Sequence, residues 1–371
     1  MKTGPTQTTP AQEGFSMPAE WEPHEATWLG WPHCRSDWPG KLGAIEWVYG
    51  EIVRKIAESE KVRIIIDGAT RIARARHVLK SAHANLANVE FFRAPSDRGW
   101  SRDFGPICVR KTGPEPEVAI VKFKFTAWAK YPNWHRDNRL AECIARKRGL
   151  RLFPVVHNGR PVVLEGGGID VNGRGTLLTT EECFLDQTTQ CRNPGMTRED
   201  YDRVFRDYLG ASNVIWLGNG IVGDDTHGHV DDLCRFVDKK TLVVIQEKNK
   251  RDPNWRPLHE NWERLQDARL ENGEKPEIIA LPMPAPLYFG AWRLPASYAN
   301  FYIANAAVIV PTFNDPADRV ALGILGELFR DRPVVGISAV DLVLGFGTLH
   351  CLTQQHPALT RRTSKLYAPC P

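Results

Sequence analysis

The sequence predicts an α/β fold built from one repeated unit of helix, strand and hairpin. Three observations carry this. Amphipathic helical stretches recur along the chain, each is followed by a short β-rich run, and further β-rich runs then come in pairs split by a polar or small turn.

The clearest helix covers 316–330. Val320, Ile324 and Leu328 form one apolar stripe there, and Ala321, Leu325 and Phe329 form the next. Asp315 stands at the cap, and Pro316 takes the first helical position, where a missing N–H costs nothing. Less regular helical patterns cover 44–59, 138–148, 197–208 and 258–269, and β-rich runs follow at 62–66, 152–156, 214–217, 278–281 and 334–337. The paired runs are 107–109 with 119–123, 168–171 with 175–180 around Asn172-Gly173, 233–237 with 241–245 around Asp238-Lys239-Lys240, and 301–304 with 307–310. Hairpin entrances near Gly105, Gly166, His229 and Asn300 recur roughly every 60–70 residues, a period that marks a repeat architecture. A fifth hairpin forms if a strand around 349–352 pairs with 26–30, which closes a ring. The helix and strand suggested at 70–92 fit that scheme less well. A doubly wound sheet is the alternative reading of the same alternation. No Gly/Ser tract divides the chain, so 17–371 reads as a single domain preceded by a polar, flexible tail at 1–16.

Bulk properties exclude several classes. The chain is 42% hydrophobic and 25% charged, as soluble globular proteins are. Its 48 basic and 44 acidic residues are interspersed, so no basic arm for nucleic acid stands out. The longest apolar run, 304–310, is too short to cross a bilayer, and the N-terminus lacks the apolar core of an export signal. A cytoplasmic location with reduced thiols is therefore expected. Cysteines stand at 34, 108, 143, 183, 191, 234, 351 and 370, none in a C-x-x-C pair.

Function is read from what precedes each hairpin. Asp103 lies in Ser101-Arg102-Asp103-Phe104-Gly105-Pro106, Glu165 in Leu164-Glu165-Gly166-Gly167-Gly168, and His229 and Asp231 in Gly228-His229-Val230-Asp231-Asp232. The proposed closing strand carries His350 and Cys351. Each residue alone has a plain structural role open to it: a turn for Asp103, a solvated loop for Glu165, packing for a histidine or a cysteine. The three glycines match neither nucleotide-binding fingerprint. At equivalent positions of a ring, however, three carboxylates, a histidine and a thiol converge on one axis. A metal site is the competing reading of Asp225-Thr226-His227-Gly228-His229-Val230-Asp231, since His227, His229 and Asp231 would share one face of a strand.

These residues resemble a known family. The chain is similar to the agmatine deiminases and the related bacterial (Porphyromonas-type) peptidylarginine deiminases of the guanidine-modifying (pentein) superfamily. The similarity runs from Met17-Pro18-Ala19-Glu20-Trp21-Glu22-Pro23-His24-Glu25 through 100–106, Phe125-Thr126-Ala127-Trp128, 164–168, 177–183, 228–231 and 299–305 to His350-Cys351-Leu352-Thr353-Gln354-Gln355. The resemblance implies a five-bladed pseudo-symmetric α/β propeller of ββαβ modules around an axial active site. It also implies a homo-oligomer acting on a small guanidine without cofactor or metal.

Guanidinium is planar, cationic and rich in N–H donors, so it suits a fork of carboxylates, assigned to Asp103 and Asp231. Cys351 is then the nucleophile, His229 the acid and base, and Glu165 the residue that orients His229. Trp100 and Trp128 are candidate pocket walls, although core packing suits them equally, and Asp225 is a candidate partner for agmatine's distal amine. The expected reaction is hydrolysis of agmatine to N-carbamoylputrescine and ammonia. The same chemistry on peptidyl-arginine, free arginine or another guanidine is the alternative, and a catalytically silent binding protein is a more distant one. Two departures bear on the tail of the substrate: His227 stands where agmatine-specific members carry an acidic residue or Asn, and the connection at 287–295 is short.

Overall fold

In the computed structural model, residues 8–359 are described. Four of the sheets share one construction. An antiparallel hairpin gains a third, parallel strand after a helical crossover, the connection that parallel pairing requires. The first joins Ile107–Lys111, Glu117–Lys122 and Arg151–Pro154, and the second joins Asp170–Val171, Thr176–Thr180 and Asn213–Leu217. The third joins Cys234–Phe236, Thr241–Gln246 and Glu277–Pro282, and the fourth Tyr302–Ile303, Val308–Thr312 and Val334–Ser338. Helices Leu140–Arg148, Arg198–Val204, Trp255–Gln266 and Pro316–Leu328 lie within the four crossovers.

A fifth sheet joins the two ends of the chain. Thr353–Pro357 pairs antiparallel with His24–Gly30, Thr27 facing Gln355, and His24–Gly30 pairs parallel with Lys61–Ile66. Val89–Arg93 adds an outer strand after helix Ala69–Ser81, so the segment that fitted the repeat poorly is an edge extension of this sheet. Val62, Ile64, Ile65 and Ile66 are all buried, as expected for a parallel strand covered on both faces. No helix among the described residues is long and apolar enough to cross a membrane.

Two expectations need correction. The closing strand is Thr353–Pro357, whereas Leu349–Leu352 forms one helical turn. The three-residue spacing of Leu349 and Leu352 suits a turn that buries both, and Asn300 accepts the His350 N–H at 3.1 Å where the turn begins. Within the expected flexible tail, residues 11–13 and 15–16 are structured. Ala11–Glu13 forms a 3-10 turn, and Phe15–Ser16 pairs with the edge of Ile107–Lys111. Phe15 packs edge-on against Phe153, and burying such a ring is worth about 1.5–3 kcal/mol, enough to hold a two-residue strand. Residues 1–7 of that tail, and 360–371 with Cys370 and the Arg361-Arg362 pair, lie outside the described residues.

Short helical turns precede the hairpins: Ser101–Phe104, Gly166–Gly168 and Val230–Asp232, with Leu349–Leu352 ahead of the closing strand. Ser101–Phe104 packs against both Gly166–Gly168 and Leu349–Leu352, and Gly166–Gly168 packs against Val230–Asp232. The hairpin entrances therefore meet in space, and the polar residues they carry meet with them.

Candidate active site

Cys351 lines a cleft of about 90 Å³ together with Trp100, Asp103, Trp128, Tyr131, Asp225 and Phe346. Its Sγ receives the side-chain N–H of Asn300 at 3.1 Å and lies 3.6 Å from Asp231 Oδ2. Asn300, at the entrance of the fourth hairpin, is fully buried and holds the turn from both ends of its amide. Its oxygen accepts from Thr348 Oγ1 at 2.7 Å, and its NH2 also reaches Asp232 Oδ1 at 3.0 Å. Burial, followed by the charges of Asp231, Asp232 and Asp103, pushes the Cys351 thiol well above its ordinary value, against the Asn300 N–H. These surroundings favour the neutral thiol over the thiolate.

His229 stands among three carboxylates. Its Nδ1 lies 3.8 Å from Asp103 Oδ1 and 3.9 Å from Asp231 Oδ1, and its Nε2 lies 3.7 Å from Glu165 Oε2. Burial opposes its charging, yet Asp103, Cys183 and Glu165 together hold its proton well above the usual histidine range. Glu165 is itself disfavoured as an anion by burial, but Arg192, whose Nε is 3.2 Å away, and His229 keep its carboxyl below the ordinary value. Both His229 nitrogens, Glu165 Oε1 and Asp231 Oδ1 are buried without hydrogen-bond partners among the described residues. Such atoms cost about 1–3 kcal/mol each when left unpaired, so their clustering marks a place built for a polar guest.

The glycine run that resembled no nucleotide motif has a local reason. A Cβ at Gly167 would stand 2.5 Å from His229 Nδ1 and 2.9 Å from Asp103 Oδ1. Gly167 instead brings its backbone N–H to Asp103 Oδ1 at 3.1 Å, and any larger residue would occupy the space between acid and base. Gly347 is equally tight beside Cys351, where a Cβ would lie 3.1 Å from Sγ.

Asp103 is held by Trp128, whose Nε1–H donates to Oδ2 at 2.9 Å. Trp128 reaches it from an unusual turn in which Ala127, Trp128 and Ala129 have φ of 48°, 59° and 51°. Three consecutive left-handed residues without glycine cost roughly 1–2 kcal/mol each, so surrounding contacts must hold the turn. Gln190 supplies one of them, its Nε2 donating to Trp128 O at 3.0 Å and also, outside the turn, to Asp225 O at 3.1 Å. Trp100 both lines the cleft and packs in the core on Trp38, 5.0 Å between ring centres.

Burial first, then Asp231 and Glu165, raises Asp103 to about 6 against the pull of His229. With Asp103 in the cation-binding role expected from the sequence, kcat/KM should rise with pH through about 6. The folded-state proton affinity exceeds the unfolded one, so the stability contributed by protonated Asp103 is full below the ordinary aspartate value and is lost as pH rises through about 6. Activity and stability should therefore move in opposite directions across this window. Asp103→Asn should remove the corresponding limb from denaturant midpoints measured against pH, and an unchanged limb would assign it to another group.

Beneath the site lies a buried charged layer to which the sequence assigned no role. His350 Nδ1 meets Asp231 Oδ2 at 2.7 Å, and its Nε2 meets Glu20 Oε2 at 2.8 Å. Glu20 also receives Arg102 at 2.9 Å, Arg235 at 3.0 Å and the Ile303 N–H at 2.8 Å. Its landmark segment, 17–25, and the position of His350 beside Cys351 were the only signals available.

All eight residues singled out from the sequence thus stand at or directly beneath one cleft, but the metal reading needs correction. His227 has φ of 64° and turns away to Asp186 at 2.9 Å and Glu182 at 3.5 Å, so it does not share a face with His229 and Asp231. Among the described residues, Glu165, Cys183 and His229 have donor atoms near enough to share an ion. The Arg192 guanidinium on Glu165 already supplies positive charge there, which makes this donor set a poor fit for a metal. The short connection at 287–295 forms a hairpin, Tyr288–Phe289 with Trp292–Arg293, whose Trp292 ring lies 6.4 Å from Phe346 at the cleft.

A thiol, a histidine and two carboxylates around one cleft invite comparison with guanidine-modifying enzymes. The family model described as Porphyromonas-type peptidyl-arginine deiminase matches residues 16–357. The chain belongs to that family. An agmatine deiminase of Pseudomonas aeruginosa (strain LESB58) is 34% identical, covering 95% of this chain and 98% of its own. One from Pseudomonas putida (strain KT2440) is also 34% identical, over 98% of this chain and 100% of its own. The structure of the Enterococcus faecalis agmatine deiminase superposes with a TM-score of 0.87 at 28% identity, covering 96% of this chain and 99% of that one. A Cys-to-Ser variant of the C. jejuni agmatine deiminase, solved with substrate bound, gives 0.80 at 30% identity over 92% of this chain and 96% of that one. Family members thus share the mixed α/β arrangement of sheets and helices described above.

Proposed function

We propose that this protein is a cysteine-dependent deiminase that hydrolyses agmatine to N-carbamoylputrescine and ammonia, on a five-bladed α/β propeller formed as one catalytic unit. The observation that carries the reading is the convergence of Cys351 Sγ, His229 and the Asp103–Asp231 pair, with Asp231 Oδ1 and both His229 nitrogens unpartnered. The names of its relatives support agmatine as the substrate.

The carboxylates of Asp103 and Asp231 take the guanidinium N–H donors, and the arriving positive charge favours loss of the Cys351 thiol proton to water. The thiolate attacks the guanidinium carbon to give a tetrahedral adduct. His229, held protonated by the carboxylates around it, gives its proton to the departing nitrogen as the C–N bond breaks. Ammonia leaves a covalent thiouronium on Cys351. Neutral His229 then takes a proton from water, whose oxygen attacks the same carbon; collapse to the ureido product breaks the C–S bond, and the adduct's hydroxyl proton passes to the departing sulfur, restoring the thiol.

Acid-quenching a reaction with agmatine should leave the thiouronium adduct on the peptide that carries Cys351, and a metal chelator should leave ammonia release unchanged. An unmodified Cys351 peptide under turnover, or loss of activity on chelation, would sink this mechanism.

A further inference from the structure

The far end of the cleft carries a charge arrangement that agmatine does not explain. Asp225, the carboxylate placed to meet a distal ammonium, already has one. Lys130 Nζ lies 2.5 Å from its Oδ1, and the Tyr131 hydroxyl donates to its Oδ2 at 2.7 Å. Both carboxylate oxygens are therefore occupied, and the left-handed turn at 127–129 that aims Trp128 at Asp103 also delivers Lys130 to this position. A terminal ammonium entering here must share this carboxylate with an ammonium of the protein's own.

The groups left unmet at this end are donors. Lys130 has three N–H donors, of which Asp225 takes one, and its side chain is 40% exposed. Arg98 lines the cleft beside it, its guanidinium 4.3 Å from the Tyr131 ring centre, and bonds Asp37 Oδ1 at 2.5 Å. The Arg98 Nε–H is buried and has no acceptor among the described residues. A carboxylate would bring acceptors to these donors, and a second ammonium would bring none.

We propose that the site selects guanidines whose far end carries a carboxylate, and that Lys130 is the specificity residue that sets this preference. The inference rests on the deiminase reading, since the reacting end is held as described above. It narrows that reading by ranking a carboxylate-tailed guanidine above agmatine.

The test is ammonia release from guanidinobutyrate and from agmatine, in the wild-type protein and in Lys130→Ala. Wild type should show a kcat/KM for guanidinobutyrate about tenfold or more above that for agmatine, the worth of one charge-assisted contact. Lys130→Ala should lower the ratio by a similar factor, chiefly through KM, by raising KM for guanidinobutyrate and lowering it for agmatine. A wild-type preference for agmatine, or a ratio unmoved in Lys130→Ala, would overturn the inference while leaving the deiminase reading intact. Absence of ammonia release from both compounds would overturn the deiminase reading and this inference with it.

Discussion

Cys351→Ala should abolish ammonia release from agmatine, lowering kcat by at least about a thousandfold, while the protein stays folded. The two halves of this expectation have different causes. Without sulfur no covalent intermediate forms, and no other described thiol lines the cleft. The structural cost is small because the polar contacts of Sγ are the Asn300 N–H at 3.1 Å and Asp231 at 3.6 Å, and Asn300 keeps its bond to Asp232. Removing a thiol pressed against carboxylates should shift stability by no more than about 1 kcal/mol. An ammonia assay and a thermal melt on the same preparation check both halves. Retained turnover would remove Cys351 as nucleophile, whereas a collapsed melt would make it a packing residue.

Glu20→Ala should do the reverse, breaking the fold before it breaks the chemistry. Glu20 is buried and bonds Arg102, Arg235 and His350. Removing it leaves buried Arg102 with neutral acceptors alone and Arg235 with Asp170 as its remaining carboxylate, and frees His350 from one side; breaking such a pair costs about 3–5 kcal/mol. Burial opposes the Glu20 anion, but Arg235, His350 and Arg102 hold its carboxyl well below the ordinary glutamate value. A depressed acid contributes stability that is present above the unfolded-state value and is lost as pH falls through the folded-state one. Glu20→Ala should therefore lower the denaturant midpoint near neutral pH and flatten its decline in acid. A midpoint equal to wild type at neutral pH would mean that the layer does not carry the site above it.

The two residues also differ in how far the sequence reveals them. Cys351 became legible through the repeat: the entrances carrying Asp103, Glu165 and His229 recur at a near-constant interval, and ring closure aligns the thiol with them. Asn300 stood at a recognised entrance, but nothing in the chain says that its amide would hold the Leu349–Leu352 turn. Glu20 stands in a segment with no periodic counterpart. Its contact with Arg235 spans 215 residues and its contact with His350 spans 330, and no local pattern encodes such pairs. The edge strand at Phe15–Ser16 was missed because two residues carry no period at all, and its stability comes from the Phe15 ring packed on Phe153.

By itself the sequence determined the order of helix, strand and hairpin and the chemistry available at each hairpin entrance. Both are local, since side-chain periodicity and turn residues act over a few positions. Tertiary structure decided which groups became partners. It sent His227 to Asp186 instead of His229, placed Arg192 on Glu165, and seated Lys130 on Asp225. For the fully buried Arg192–Glu165 pair the reason is electrostatic, since a buried charge costs several kcal/mol unless it is paired; for the partly exposed His227 and Lys130 it is geometric, since left-handed turns of the packed chain bring each within reach of its carboxylate.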